Sequence, residues 1–250
     1  MVALHELVSY SNDLLQIDTF QDYCPNGLQV EGRGQVDRLV AGVTASQALI
    51  DRAVELQANA VLVHHGYFWR GEDARVVGIK KQRLATLLQH DISVLAYHLP
   101  LDLHPQLGNN VQLAKQLSWS PEAPANDGGN SLLRTATLDE DWQGEQLAAH
   151  IAARLQRQPL HIAADRPIRR VAWCTGAAQS QLMAAAGLGV DAYLSGEASE
   201  QTVHEARESG IHFFAAGHHA TERYGVKALA LALAERFAID CQFVDCDNPV

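Results

Sequence analysis

The sequence lacks the cysteine pattern of a disulfide-stabilised or cysteine-bound zinc protein. Its 250 residues carry four scattered cysteines with no C-x-x-C spacing, which are Cys24, Cys174, Cys241 and Cys246. A chain of this length can bury a large core without disulfides. The cysteines are therefore interpreted as buried or idle thiols in a reducing compartment.

Long apolar runs are also missing. No stretch approaches the ~18 consecutive apolar residues of a membrane helix. The first 16 residues carry Glu6 and Asp13 and have no basic segment before an apolar one, so no export signal is predicted. We therefore expect a soluble, cytoplasmic protein that does not associate with a membrane.

Positive charge is scarce. The formal net charge is −10 and there is no basic tail, which argues against general nucleic-acid binding because that requires a phosphate-neutralising surface. One local cluster comprises Arg70, Lys80, Lys81 and Arg83. A solvated helix face is the favoured interpretation of this cluster, and an anion-steering patch is the alternative.

What the sequence does contain is a succession of short apolar strands, each followed by a helical pattern. In the first half, strands are predicted at residues 39–43, 60–63 and 92–97, with helices at 45–57 and 83–89 between them. The second half shows strands at 171–175, 192–194 and 211–216, helices at 147–155 and 221–237, and a last strand at 239–244. This alternation predicts an α/β fold with largely parallel sheets.

The two halves resemble one another. Aligning His98 on His218 places Asp102 on Glu222, so each half presents a histidine followed four residues later by a carboxylate. We predict two related α/β units, with mixed, largely parallel sheets, facing each other across a metal cleft; coincidence is the alternative explanation of the repeat. Residues 1–125 plus 215–250 would form the first unit, with most of the metal ligands, and 126–214 the second. The Pro-, Asn- and Gly-rich segment 121–130 predicts a loop at the boundary.

Histidines follow three of the predicted strands. His64-His65 follow the strand at 60–63, His98 follows the strand at 92–97, and His218-His219 follow the strand at 211–216. Because functional groups gather at the carboxyl ends of strands in open α/β sheets, these imidazoles are predicted to converge. Two adjacent histidines can serve one site only where the strand breaks into a loop, and Gly66 supplies that break.

Carboxylates accompany the histidines. Glu222 lies one helical turn after His218, and Asp102 is expected on a loop because Pro100 forbids a continuing strand. Three imidazoles and two carboxylates are too many for one tetrahedral ion but suit two divalent ions, which could be zinc, iron, manganese, nickel or cobalt. The predicted ligands are His64, His65, Asp102, His218 and Glu222, with Asp102 and Glu222 bridging the ions and serving catalysis. A purely structural role for the paired histidines is the alternative.

Other polar residues near these positions have two open interpretations. His98, His104, Glu197 and His219 either orient the metal ligands or are merely polar residues of the cleft. His161 and His212 are isolated strand-end histidines, for which a hydrogen-bonded, partly exposed role is favoured over metal binding.

Six segments together are typical of one protein family, namely Pro25-Asn26-Gly27-Leu28-Gln29-Val30, Gly42-Val43-Thr44, Val63-His64-His65-Gly66, His98-Leu99-Pro100-Leu101-Asp102, Gly108-Asn109-Asn110 and Gly217-His218-His219-Ala220-Thr221-Glu222-Arg223. Through them the sequence resembles the YbgI-like proteins, also called GTP cyclohydrolase I type 2 homologs or Nif-three-like proteins. The resemblance spans nearly the whole chain. It implies a dinuclear metal centre with the same five ligands and a homohexamer built as a trimer of dimers.

The resemblance also implies a reaction. The family name suggests conversion of GTP, or hydrolysis of another nucleotide, by metal-activated water. The chain has no G-x-x-x-x-G-K-[ST] phosphate loop, so a nucleotide would be held by the metals and by basic groups such as Arg70, Arg83 or Arg223. Two alternatives are a non-catalytic metal-binding or regulatory ring and a metal-dependent redox enzyme.

Overall fold

The structure is a computed structural model that describes residues 1–122 and 132–250. Most of the predicted boundary loop at 121–130 therefore lies outside the described residues. Only Pro121 and Glu122 of that segment belong to the described part.

The described residues alternate between strands and helices. The strands are β1 Val2–Ala3, β2 Gly27–Val30, β3 Gln35–Val36, β4 Arg38–Thr44, β5 Ala60–His65, β6 Ser93–Ala96, β7 Arg134–Trp142, β8 Leu160–Ile162, β9 Ile168–Trp173, β10 Ala192–Ser195, β11 His212–Ala215 and β12 Asp240–Phe243. The helices are α1 Leu4–Leu15, α2 Gln47–Glu55, α3 Gly78–Gln89, α4 Leu99–Leu103, α5 Asn109–Leu117, α6 Gly144–Leu155, α7 Leu182–Gly187, α8 Glu200–Ser209 and α9 His218–Phe237. Short 3₁₀ turns lie at Ile17–Thr19 and Gln179–Gln181.

The chain divides into two compact units. The first comprises Met1–Gly108 and Gly225–Asp247, and the second comprises Asn109–Tyr224 and Asn248–Val250. These limits differ from the predicted boundaries at residues 125 and 214. The reason is packing, because Leu113 and Leu117 of α5 and the side chain of Tyr224 belong to the same apolar core as α6. His218 and Glu222 therefore lie in the second unit rather than the first.

The first unit is built on a mixed sheet in the order β12-β4-β5-β6-β2. β12, β4, β5 and β6 run parallel, and β2 is antiparallel to β6. Successive residues of a strand face opposite sides, and β4 follows this rule: Leu39 packs against α1 and α9, whereas Val40 packs in the cluster that includes α2 and α3. Helices thus cover both faces, as expected for parallel strands with continuous apolar sequences.

The second unit has a comparable sheet in the order β7-β9-β10-β11-β8. β9, β10 and β11 run parallel, while the edge strands β7 and β8 are antiparallel to their neighbours. Trp173 and Phe214 pack on the side of α5 and α6, and Tyr193 and Phe213 pack on the side of α7 and α8. In each unit the last parallel strand has an antiparallel neighbour, β2 beside β6 and β8 beside β11.

These sheets confirm the predicted fold class, an α/β protein with two units of mixed, largely parallel strands. The predicted return of the C-terminal strand to the first unit is also confirmed, since β12 pairs with β4. Among the helices of residues 1–122 and 132–250, none combines the length and apolar character needed to cross a bilayer.

Candidate metal centre

The first unit places a buried imidazole opposite a carboxylate. His64 follows the apolar run of β5 and is completely buried, and its Nδ1 donates a hydrogen bond to the carbonyl oxygen of Tyr97 at 2.8 Å. A neutral imidazole with its proton on Nδ1 has a lone pair on Nε2. That Nε2 lies 3.5 Å from Oδ1 of Asp102, whose residue is 7% exposed. Two electron-rich atoms thus face one another in a buried position, an arrangement that a cation stabilises.

His65 lies beside His64 with a ring-centroid separation of 4.5 Å. The predicted break of the strand after His65, at Gly66, is confirmed, because β5 includes both histidines and ends at His65. The two rings meet because they occupy the terminal positions, where the chain leaves the sheet at Gly66. The Nδ1 atom of His65 lies 3.1 Å from Oγ1 of Thr44, the last residue of β4.

Asp102 occupies a short helix, and its predicted position on a loop is wrong. α4 runs from Leu99 to Leu103 with Pro100 in its first turn. A proline is tolerated there because the first N–H groups of a helix have no intrahelical partner. The strand β6 already ends at Ala96, and the helical turn that contains Pro100 places the Asp102 carboxylate 3.5 Å from Nε2 of His64.

His98 completes a cluster of three imidazoles in the first unit. One donor nitrogen from each of His64, His65 and His98 lies within 4.8 Å of the others, so these side chains could hold a metal ion. The orientation of His98 is set by Asp22, whose Oδ1 accepts from Nδ1 at 2.7 Å. The His98 N–H donates to the side-chain oxygen of Asn26 at 2.7 Å.

Cys24, which lies beside this cluster, is not activated as a thiolate. Burial raises the pKa of Cys24 to about 12, and the negative charge of Asp22 contributes to the increase. The thiol therefore stays protonated at neutral pH, in agreement with the interpretation of the cysteines as idle.

The second unit repeats the arrangement of imidazole and carboxylate. In His218, the first residue of α9, Nδ1 lies 2.6 Å from Oε1 of Glu197, and Nε2 lies 3.0 Å from Oε2 of Glu222. Glu222 is 3% exposed. Burial lowers the pKa of His218, but hydrogen bonds and charge from Glu222 and Glu197 outweigh it and raise the pKa to about 9. Two acceptors on opposite sides therefore hold this imidazole in its protonated form when no metal is bound.

Glycine makes room for the Glu222 carboxylate. Gly176 follows β9 with φ of +69°, a conformation that L side chains rarely adopt, and a Cβ atom placed there would collide with Oε1 of Glu222. The N–H of Gly176 donates to Oγ1 of Thr221 at 3.1 Å, which fixes the loop against the first turn of α9. The backbone at residue 176 thus lies so close to the Glu222 carboxylate that only glycine fits there.

The remaining predicted residues have defined positions. Glu197 contacts His218 directly, as a residue that orients a metal ligand would. His104 instead accepts backbone N–H groups of Gln106 and Leu107 through Nδ1, and burial lowers its pKa. His219 donates its backbone N–H to the oxygen of Val250 at 3.0 Å.

The isolated histidines His161 and His212 are hydrogen-bonded residues, as the favoured interpretation expects, and they bond to each other. Nε2 of His161 lies 3.0 Å from Nδ1 of His212, and Nε2 of His212 donates to the carbonyl oxygen of Arg166. His212 is more deeply buried than expected, with 3% exposure. The basic residues Lys80, Lys81 and Arg83 lie on α3, and Arg223 donates to the carbonyl oxygen of Leu155 at 2.6 Å.

Sequence reasoning missed Asp22 as a residue of the site. Its carboxylate accepts from His98, from the side-chain amide of Asn26 and from the N–H of Leu99. These partners lie up to 77 residues away. The only available signal was its position three residues before the Pro25-Asn26-Gly27 segment.

The donor sets of both units fit divalent metal ions. Each unit has an imidazole whose Nδ1 bonds to an oxygen and whose Nε2 faces a carboxylate, namely His64 with Asp102 and His218 with Glu222. Binding of Nδ1 by an outer oxygen is the usual way in which proteins orient a metal-binding histidine. Imidazole and carboxylate ligands without thiolate are compatible with several first-row divalent ions.

Comparison with known proteins identifies the relatives of this chain. A model of the family described as Duf34/NIF3 (NGG1p interacting factor 3) matches residues 2–249. A Pseudomonas aeruginosa protein named GTP cyclohydrolase 1 type 2 homolog is 59% identical over 249 residues, which cover 99% of both chains. An Escherichia coli protein of the same name is 50% identical and is covered to 98%, as is this chain.

Solved structures show the same fold. The structural-genomics structure of protein ybgI, described as of unknown function, superposes with a TM-score of 0.95 at 49% identity and full coverage of both chains. A Thermus thermophilus protein superposes with a TM-score of 0.86 at 34% identity, again with full coverage of both.

Proposed function

This chain belongs to the Duf34/NIF3 (NGG1p interacting factor 3) family, and we propose that it is a hydrolase that depends on two divalent metal ions and acts on a nucleotide. The proposed metal ligands are His64, His65, Asp102, His218 and Glu222. The metal is zinc, iron, manganese, nickel or cobalt, since imidazole and carboxylate ligands suit all of these.

One observation carries the proposal. In each unit a buried or half-buried imidazole points Nε2 at a carboxylate, at 3.5 Å for His64 and Asp102 and at 3.0 Å for His218 and Glu222. A proton or a metal ion can fill such a position. The histidine clusters favour the metal, because His65 and His98 also place donor nitrogens within 4.8 Å of His64, and three clustered imidazolium ions would repel one another.

The number of ions follows from the number of ligands. Three imidazoles and two carboxylates exceed what one tetrahedral ion with an open position accepts, and carboxylates are able to bridge two ions. Asp102 and Glu222 are the carboxylates that would hold both ions. Tyr97 and Glu197 hold Nδ1 of His64 and His218, which leaves Nε2 of each ring to bind metal. Divalent ions at such a site supply Lewis-acid activation of water and of a substrate oxygen.

The nucleotide part of the proposal is supported by the relatives. Proteins 50–59% identical to this chain carry the name GTP cyclohydrolase 1 type 2 homolog. A net charge of −10 disfavours the binding of polyanions to the protein surface in general. A small anionic substrate therefore needs positive groups close to the site, and bound metal ions and basic side chains would provide them.

Two measurements test the proposal. Elemental analysis of the freshly purified protein gives the metal and its stoichiometry, and a hydrolysis screen with GTP and other nucleotides follows with that metal restored. We expect about two ions per chain, together with loss of metal and of turnover in His64→Ala and Glu222→Gln. His5→Ala, which removes an exposed histidine, is the matched control. Full turnover in a chelator-treated, metal-free preparation would eliminate the proposal.

Other outcomes would assign a different function. Tight metal binding without turnover on a broad substrate panel would identify a metal-binding or regulatory protein. An iron-filled site with reversible absorbance changes upon reduction under anaerobic conditions would identify a redox enzyme.

We also propose that the protein works in the cytoplasm as a homohexamer arranged as a trimer of dimers. Native mass spectrometry tests the assembly directly. The expected species has six times the mass of the chain, and a monomer at micromolar concentration would refute this part of the proposal.

A further inference from the structure

Two aromatic residues approach His98 from different segments of the first unit. The ring centroid of Trp69 lies 4.9 Å from that of His98 with the planes at 86°, and the Tyr23 centroid lies 6.3 Å away at 66°. Trp69 is also 6.0 Å from His65. Both aromatic residues therefore border the imidazole cluster, and Tyr23 is 58% exposed, so its ring is accessible to a ligand from solvent.

Backbone hydrogen bonds join the two segments. The N–H of Arg70 donates to the carbonyl oxygen of Tyr23 at 2.7 Å, and the Arg70 guanidinium donates to the carbonyl oxygen of Asp22 at 2.9 Å. The indole N–H of Trp69 donates to the carbonyl oxygen of Gly66 at 3.2 Å. Asp22 is in turn bonded to His98, so these contacts form one continuous network with the imidazole cluster.

Arg70 brings a positive charge to this surface. Its guanidinium carbon lies 5.8 Å from the centre of the Tyr23 ring, a cation–π arrangement, and the residue is exposed. Within the described residues its side-chain contacts are this ring and a carbonyl oxygen, and no carboxylate neutralises it. A guanidinium held in this way retains N–H groups for a phosphate.

We propose that Trp69, Tyr23 and Arg70 are the nucleotide-recognition surface of this site, with the base stacked on Trp69 and a phosphate bound by Arg70 on the Tyr23 ring. This inference rests on the proposed function and specifies its substrate class, a planar heteroaromatic base carrying phosphate. Stacking on tryptophan is available to any base. Arg70 supplies part of the phosphate binding that the missing glycine-rich loop would otherwise provide.

The test compares GTP with guanosine as probes. Isothermal titration calorimetry measures the binding of each to the full-length, metal-loaded protein at one fixed free Mn²⁺ concentration. Trp69→Leu is expected to weaken both probes at least about five-fold, the lower bound for loss of one base–aromatic stack. Arg70→Gln is expected to weaken GTP by a similar factor and to leave guanosine unchanged. Trp142→Leu, which replaces a partly buried tryptophan of the second unit, should change neither.

The outcomes separate this inference from the proposed function. Wild-type affinity for GTP in both Trp69→Leu and Arg70→Gln overturns the recognition surface, even if the metal-loaded protein hydrolyses GTP. Absence of any binding of GTP and guanosine by the folded, metal-loaded wild type also overturns it. Conversely, a protein that holds no metal but loses GTP affinity in the two variants as expected refutes the metal-dependent hydrolase and retains the surface. Circular dichroism of each variant verifies the fold.

Discussion

Nδ1 of His98 donates a hydrogen bond to the carboxylate of Asp22 at 2.7 Å, and this contact joins the start of the chain to the end of β6. The Asp22 side chain is 3% exposed. Burial, the largest influence, raises its pKa, but hydrogen bonds from His98 and Asn26 outweigh burial and lower the pKa to about 2. The ionised carboxylate is therefore strongly favoured in the folded protein, and it fixes the ring of His98 beside His64.

The first prediction concerns this carboxylate. Since its pKa is lower in the folded than in the unfolded chain, Asp22 stabilises the fold above pH ~4, and this stability is lost as the pH falls toward ~2. Asp22→Asn should lower the free energy of unfolding of the metal-free protein by about 2 kcal/mol at pH 7. At pH 3 the difference in the free energy of unfolding between the variant and wild type should be smaller. Urea denaturation at both pH values measures this free energy. Asp18→Asn, at an exposed position, is the control. Equal stability at pH 7 would contradict the prediction.

The second prediction concerns the residue that holds His218. Glu197 bonds to Nδ1 and fixes the orientation in which Nε2 faces Glu222. Glu197→Ala should lower the affinity for Zn²⁺ or Mn²⁺ by roughly 10- to 100-fold, the usual effect of removing such a partner. Calorimetric titration of the chelator-treated protein measures this affinity. Glu200→Ala removes an exposed glutamate of α8 and should leave it unchanged. An unchanged affinity in the Glu197 variant would show that His218 needs no such support.

The third prediction uses the close approach of Gly176 to Glu222. Alanine at position 176 requires a strained positive φ and a Cβ atom at the place of the carboxylate oxygen. Gly176→Ala should therefore displace Glu222 and reduce metal occupancy, which elemental analysis measures.

A matched glycine provides the control for this substitution. At Gly187, in α7, nothing lies within 4 Å of a Cβ atom, and alanine has the higher helix propensity. Gly187→Ala should keep full metal occupancy and unchanged or higher thermal stability. Equal metal content in Gly176→Ala and Gly187→Ala would mean that metal binding does not depend on the position of the Glu222 carboxylate.

The fourth prediction concerns pH and the pair His161 and His212. Burial lowers the pKa of His161, and the charge of His212 lowers it further, while Glu145 opposes the shift. A histidine pKa that is lower in the folded state favours the neutral ring. Its stabilising effect is therefore fully present above pH ~6.5 and is lost as the pH falls below that value.

Unfolding measurements at pH 7 and pH 5 test this prediction. Wild type should lose more stability over this interval than His161→Gln, in which the titrating ring is absent. His90→Gln, at an exposed position, should behave like wild type. Identical pH dependence of wild type and His161→Gln would exclude a contribution from the titration of His161.

Much of the fold could be predicted from the sequence because its signals are local. Runs such as residues 60–63 are apolar throughout, which is typical of strands covered on both faces, and they form β5 in the structure. The limits of the compact units, in contrast, depend on contacts between residues that are far apart in the sequence. α5 packs against α6 rather than with the first unit, and no property of residues 109–117 alone determines which apolar core they join.

The candidate site likewise has features that the sequence predicts and features that depend on the tertiary structure. The sequence by itself determined where imidazoles and carboxylates follow strands, as at His64, because a strand end is encoded in the residues that form it. Only the tertiary structure decided the orientation of these groups: Tyr97 holds Nδ1 of His64, and Asp22 holds His98 from 76 residues away. Hydrogen-bond direction depends on distances and angles between atoms remote in sequence, and residue spacing carries no information about those.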